Sequence, residues 1–274
     1  MIKRVGYAIK HPTNRSLDDF QTYWATKHGP FFAHTPGVRR YVQHITLKDS
    51  YGGALAPTHD GVSMFFYDDL EAALNPPPSP KMASVVPEAH KEIYDWYVAS
   101  KRYGDPWQMT MQETVGADDR QLFDRRTDWP TAHRKAQTVS TEVPVIDAIQ
   151  TPEMVKAVIA VARRPGLTVA EFQEHFLGRQ AELVAKVPGL RRYVQNPAAI
   201  EAYGLTTRPM THDAFSELWF DDLESLERAV ASSEWKAAAE DGEQLFAAPA
   251  AVVIAREGIR KEIGFEGPVE YSGR

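Results

Sequence analysis

The chain has no cysteine. That absence removes disulfides, thiolate-bound zinc, iron–sulfur clusters and cysteine nucleophiles, and it suits a reducing compartment, so a cytoplasmic location is expected. Long apolar runs are missing too: nothing approaches the roughly 18 residues that a membrane-spanning helix requires. The basic start, Met1-Ile2-Lys3-Arg4-Val5-Gly6, has no signal-peptide core. No membrane association is expected. Charge of one sign is not in excess, because 31 Lys and Arg face 37 Asp and Glu for a net charge of -6, which offers nucleic acid no basic surface. Nucleic acid is therefore excluded as a partner. Also absent are a His-Glu-x-x-His run, a phosphate-cradling Gly-Lys-Ser/Thr loop, a Gly-x-Ser-x-Gly elbow and a Gly-x-Gly-x-x-Gly turn. The nine His residues show no tight ligand spacing, so neither a metal nor another cofactor is expected.

What the sequence does contain is itself, twice. Pro36-Gly37-Val38-Arg39-Arg40-Tyr41-Val42-Gln43 returns as Pro188-Gly189-Leu190-Arg191-Arg192-Tyr193-Val194-Gln195, with seven of eight residues identical at an offset of 152. Ser16-Leu17-Asp18-Asp19-Phe20 matches Thr168-Val169-Ala170-Glu171-Phe172, and Phe65-Phe66-Tyr67-Asp68-Asp69-Leu70-Glu71 matches Leu218-Trp219-Phe220-Asp221-Asp222-Leu223-Glu224. Met1-Ile2-Lys3 pairs with Met154-Val155-Lys156. Several blocks in one order mean two homologous domains. The expected division is residues 1–150, carrying a helical insertion at about 75–110, and residues 151–274, a degenerate second copy.

Each copy reads strand, helix, strand, strand, helix, strand. β-Branched residues mark the first strand, at about 2–10 and 154–162. Ser16 and Thr168 cap a helix, and Pro36-Gly37 turns into the second strand. Third strands fall at about 61–67 and 214–220, and final strands at about 136–146 and 250–260. Asp68, Asp69, Asp221 and Asp222 read as helix caps. This βαββαβ order is the ferredoxin-like fold of the α+β class, an antiparallel sheet with helices on one face. The bare faces of two such sheets are expected to cover each other, giving an intramolecular dimeric α+β barrel. Asn75-Pro76-Pro77-Pro78-Ser79-Pro80 stops a helix, and residues 82–103 read as an extra amphipathic helix within the insertion.

The run Phe20-Gln21-Thr22-Tyr23-Trp24-Ala25-Thr26-Lys27-His28-Gly29-Pro30, followed by Pro36-Gly37 and Arg40-Tyr41-Val42-Gln43, resembles the EthD family. That family's pattern is a Tyr-Trp pair, a His four residues later, a Pro, a Pro-Gly turn and an Arg-Tyr-x-Gln strand. The resemblance covers each half nearly end to end and implies the dimeric α+β barrel superfamily, which also holds muconolactone isomerases, small polyketide cyclases and cofactor-free monooxygenases. It implies no single reaction. The second copy departs from the pattern, since Tyr23, Trp24, His28 and Pro30 become His175, Phe176, Gln180 and Glu182. Only the first half retains the histidine.

Phe20, Trp24, His28 and Phe32 are spaced by four, which places the imidazole on the apolar stripe of the first helix. Pro30 follows closely and disfavours helical geometry in Gly29, so the helix is expected to end or kink at His28. A titratable ring among apolar neighbours suits a general acid or base, while a core histidine bonded to a carbonyl is the plain alternative. On the second strand, alternation sends Tyr41 and Gln43 to one face and Arg40 to the other, and either set could share a cavity with His28. Arg39, Arg40, Tyr41 and Gln43 persist in the copy without the histidine, which favours structural roles for most of them; for Arg40 the alternatives are a substrate contact and a salt bridge inside the barrel. The candidate catalytic set is His28, Tyr23, Tyr41 and Arg40. Trp24, Phe20, Phe31, Phe32, Gln43 and His44 are the candidate substrate contacts. His11 and His34 are expected to be exposed.

The expected function is that of a cofactor-independent lyase or isomerase. It would dehydrate, decarboxylate or cyclise a small apolar aromatic or polyketide-like carbonyl compound by proton transfer through His28. Two other readings stand beside it: a non-catalytic ligand-binding or scaffold protein, and a cofactor-free monooxygenase. A small molecule is the expected partner, with the protein a monomer or a homodimer.

Overall fold

The computed structural model describes residues 2–9, 16–28, 38–74, 138–205 and 212–262; of residues 2–9, 23, 27, 28, 74, 139, 204, 205, 248, 249 and 259–262 it describes the backbone alone. Phe31, Phe32, His11, His34 and the expected insertion at about 75–110 lie outside the described residues.

The first half runs β1 (Ile2–Ile9), α1 (Leu17–Tyr23), a π-helical turn (Trp24–His28), β2 (Arg40–Thr46), β3 (Gly61–Tyr67) and α2 (Leu70–Leu74), followed by β4 (Thr138–Thr141) and β5 (Val143–Ile146). The second half repeats it as β6 (Val155–Arg163), α3 (Val169–His175), a π-helical turn (Phe176–Gln180), α4 (Ala181–Val184), β7 (Arg192–Pro197), α5 (Ala202–Leu205), β8 (Ala214–Phe220), α6 (Leu223–Ala231), α7 (Ser233–Leu245) and β9 (Phe246–Glu262). The caps are local in origin. Ser16 accepts from the Asp19 N–H at the start of α1, and Thr168 forms a full capping box with Glu171 at the start of α3. Asp69 and Asp222 cap the later helices, while Asp68 and Asp221 instead pair with Arg39 and Arg191.

The strands form one nine-stranded sheet in the order β4-β1-β3-β2-β9-β6-β8-β7-β5. β4 pairs with β1 of its own half, and β5, after one intervening residue, pairs with β7 of the other. β9 does the reciprocal thing at greater length, pairing with β6 and with β2. The last strand of each half therefore crosses over, and the sheet curls until its two ends are continuous in sequence. A single bridge, Ser140 to Ala198, links β4 to the end of β7, so the two edges of the sheet approach each other.

Alternation on the strands makes two faces. One faces the barrel interior, where Val42, Val62, Met64 and Phe66 meet Val158, Ala160, Phe215, Ala251, Val253 and Ala255 of the other half. The other faces the helices, where Val161 and Ala214 pack with Phe172, Phe176 and Leu245, and Tyr41, Phe65 and Tyr67 pack with Val38 and Ala73. The β2–β3 loop reaches across: Leu47 and Thr58 donate backbone hydrogen bonds to the Ile254 and Val252 carbonyls of β9. Within the loop Tyr51 donates to Asp60, and at the repeated positions Tyr203 donates to Asp213.

Candidate functional site

The helix-facing layer of the first half is aromatic. Phe20 and Trp24 stack with centroids 5.8 Å apart, and Tyr41 stacks on Phe65 at 4.5 Å. All four side chains are buried. Its polar atoms are few: the Tyr41 hydroxyl lies 3.2 Å from Ser63 Oγ, and Gln43 Nε2 donates to the Trp24 carbonyl at 3.1 Å.

That last bond explains a local feature. α1 passes into a π-helical turn at Trp24–His28, a wider turn that disturbs the regular carbonyl pairing. Gln43 reaches up from β2 and satisfies the Trp24 carbonyl. The second half repeats the device, with Gln195 Nε2 donating to the Phe176 carbonyl at 2.5 Å under the π turn Phe176–Gln180. Gln43 thus has a structural partner, which accounts for its persistence in both copies. Tyr193, the counterpart of Tyr41, has its phenol pKa pushed up to about 12 by burial, against hydrogen bonds with Ser216 and Gln195.

Three differences separate the halves. Trp24 is opposed by Gly61, where an added Cβ would fall on the indole ring; Phe176 is opposed by Ala214 in the corresponding cluster. At the position of Tyr23 stands His175, whose Nε2 lies 2.8 Å from the buried Asp241, which also takes Arg179 Nε at 2.7 Å. At the position of His28 stands Gln180, whose Nε2 donates to the Ala238 carbonyl at 3.2 Å. These contacts fasten α7 onto α3 and its π turn. In the first half the described helix ends at His28 itself.

The structure divides the sequence-derived residues into two layers. Phe20, Trp24, Tyr41 and Gln43 share the helix-facing layer. Arg40 and His44 do not belong to it: the pleat turns both into the barrel, so the expectation that His44 lines the same pocket is corrected. Arg40 Nη2 bonds Glu257 Oε2 at 3.1 Å and its guanidinium lies over Phe66, so the salt bridge inside the barrel is what forms.

His44 joins a buried polar cluster that sequence reasoning missed. Lys156 of β6 is 1% exposed, and its Nζ lies 2.9 Å from His44 Nε2, 2.6 Å from Glu257 Oε1 and in ion-pair contact with Glu217 Oε2. Asn196 Nδ2 donates to Glu217 Oε1 at 3.1 Å, and the Trp219 ring lies 4.3 Å from the ammonium. Since an ammonium can only donate, His44 Nε2 accepts and the proton resides on Nδ1. Burial first, and the Lys156 charge second, push the His44 pKa down to about 4, so the ring is neutral at neutral pH. Burial opposes ionisation of Glu257, yet Lys156 and then Arg40 hold its pKa well below the usual carboxylate range. His44, Glu217 and Glu257 each offer a ligand atom within 4.8 Å of the others, a donor set that suits a divalent cation. The lysine nitrogen lies among those same atoms. The signal that could have found the cluster was charge on strands that otherwise alternate as apolar, at Lys156, Glu217 and Glu257.

Comparison with known proteins follows the same division into halves. The EthD domain model matches residues 13–95 and 164–250, more than half of the chain. Among similar solved structures, an EthD family protein from Bacillus halodurans is 26% identical, covering 38% of this chain and 97% of its own, with a TM-score of 0.32. An anthrone oxidase-like protein is 9% identical, covering 96% of this chain and 95% of its own, with a TM-score of 0.52, and so shares the whole fold. SnoaB, a cofactor-independent oxygenase from Streptomyces nogalater, is 19% identical over 41% of this chain and 99% of its own, with a TM-score of 0.28. No curated protein matches the chain. No helix among the described residues is long and apolar enough to cross a membrane.

Proposed function

The chain belongs to the EthD family, and from that premise we propose that its first half is a cofactor-free oxygenase site for a small, electron-rich aromatic carbonyl compound or phenol. The observation that carries this reading is the pair of aromatic stacks on the helix-facing side of the first half, Phe20 on Trp24 and Tyr41 on Phe65, with Trp24 opening the π turn that terminates in His28. A flat apolar substrate matches such a layer, and dioxygen, itself apolar, partitions into it. The full-length likeness to an anthrone oxidase-like protein supports oxidation over the lyase or isomerase chemistry expected from sequence. The site is assigned to residues 1–150, with residues 151–274 as its support.

His28 takes a proton from the substrate's acidic C–H or O–H, leaving a delocalised anion. Hydroxyls of Tyr23 and Tyr41 donate hydrogen bonds to the oxygen on which that charge gathers. The anion gives one electron to dioxygen, and the resulting radical pair combines at carbon as a peroxide. The proton held by His28 returns to the terminal oxygen. At a CH2 centre, loss of water from the hydroperoxide then gives a carbonyl, so R2CH2 and O2 become R2CO and H2O. Phe31 and Phe32 are assigned as further substrate contacts, and no metal or organic cofactor takes part.

An oxygen electrode with an anthrone as substrate tests the proposal. His28→Gln installs the residue of the second half and should lower turnover by about 10²-fold or more, the usual contribution of a general base, with the circular dichroism spectrum unchanged. Full activity in that variant, or product formation under anaerobic conditions, would overturn it.

A further inference from the structure

The barrel interior contains a recognition site of its own. A primary ammonium has three N–H donors, and the structure sets one acceptor against each: Glu217 Oε2, Glu257 Oε1 at 2.6 Å and His44 Nε2 at 2.9 Å. A further side is closed by the Trp219 ring, 4.3 Å from the nitrogen, the arrangement by which an aromatic face holds a cation. The charges balance locally, because Glu217 offsets Lys156 and Glu257 is shared with Arg40. His44 is fully buried, and its Nδ1 has no hydrogen-bond partner among the described residues. An imidazole kept in that condition carries a desolvation cost, which its acceptor role toward the ammonium offsets.

We propose that this cluster is a primary-ammonium receptor built jointly by the two halves, with Lys156 as its tethered ligand. The first half supplies His44, and the second supplies Glu217, Glu257 and Trp219. It exists once. At the pseudo-equivalent positions Asn196 replaces His44, Met64 replaces Glu217 and Phe66 replaces Trp219, so the mirrored place has lost an imidazole, a charge and an indole. The same three donor groups suit a divalent ion, and the resident ammonium keeps one out. Closure of the two halves therefore depends on a cation, which the chain provides for itself.

Shortening the ligand exposes the receptor. Lys156→Ala should unfold at a markedly lower temperature than the parent chain, and added methylammonium chloride should restore the midpoint in a saturable way. Tetramethylammonium chloride at equal ionic strength has no N–H to donate and should not. If Lys156→Ala does not fold alone, refolding yield with methylammonium is the readout. Lys156→Met/Glu217→Met removes a matched pair of charges; this variant should fold better than Lys156→Met alone and ignore methylammonium. The proposal is overturned if the two ammonium salts act alike on Lys156→Ala, if neither restores it, or if the double variant is as unstable as Lys156→Met.

Discussion

One methyl group distinguishes the packing beneath the two helices. Gly61 lets the Trp24 indole lie directly on β3, whereas Ala214 accompanies the smaller Phe176. Gly61→Ala should therefore cost about 1–3 kcal/mol through overpacking, read as a lower urea midpoint. Trp24→Phe in the same chain should recover much of that loss, because it recreates the second half's pairing; purely additive effects in this double-mutant cycle would refute the account. Such pairings were only partly legible from sequence. The repeats singled out Arg39 and Arg191, and the structure supplies the reason in Asp68 and Asp221, 29 and 30 residues further along. Lys156, Glu217 and Glu257 went unread because their meaning lies in one another, and ion pairs across 61 and 101 residues leave no spacing signature.

Elements were easier to read than contacts. β-Branched runs, Ser16, Thr168 and the Pro-Gly turns placed strands and helix starts close to where they lie, since each depends on its own few residues. The π turn escaped. Spacing by four at Phe20, Trp24 and His28 placed them on one helix face with an end or kink expected at His28, but whether the turn widens at Trp24 depends on an acceptor's partner 19 residues away, Gln43. Removing that partner should show its importance. Gln43→Leu removes the hydrogen bond to the buried Trp24 carbonyl, and about 1 kcal/mol of stability should be lost, with faster amide hydrogen exchange concentrated in residues 20–28. Gln195→Leu should do the same around residues 172–180. Unchanged protection in both helices would show that the π turns hold themselves.

At the scale of the molecule, internal repetition revealed the barrel, but not how it closes. Two sheets face to face were expected, and their inner faces do meet; beyond that, β5 and β9 cross between halves and join them into one sheet, a consequence of strand lengths that hydrophobic pattern leaves undefined. Closure buries histidines, and this makes the whole fold sensitive to acid. His44 has a folded-state pKa of about 4, lowered by burial and then by Lys156; that of His212 is also about 4, lowered by burial against the opposing charge of Asp213. Both lie below the unfolded value near 6.5, so the unfolded chain binds more protons throughout that interval. The stability at stake is complete above pH 6.5 and is lost as pH falls toward 4, by up to roughly 3 kcal/mol per histidine. Urea midpoints measured from pH 7.5 to 4 should fall accordingly. His44→Asn carries the second half's residue and cannot titrate, so its midpoints should fall with about half the slope, the remainder belonging to His212. A variant profile parallel to the parent's would mean that the barrel histidine has no part in the acid sensitivity.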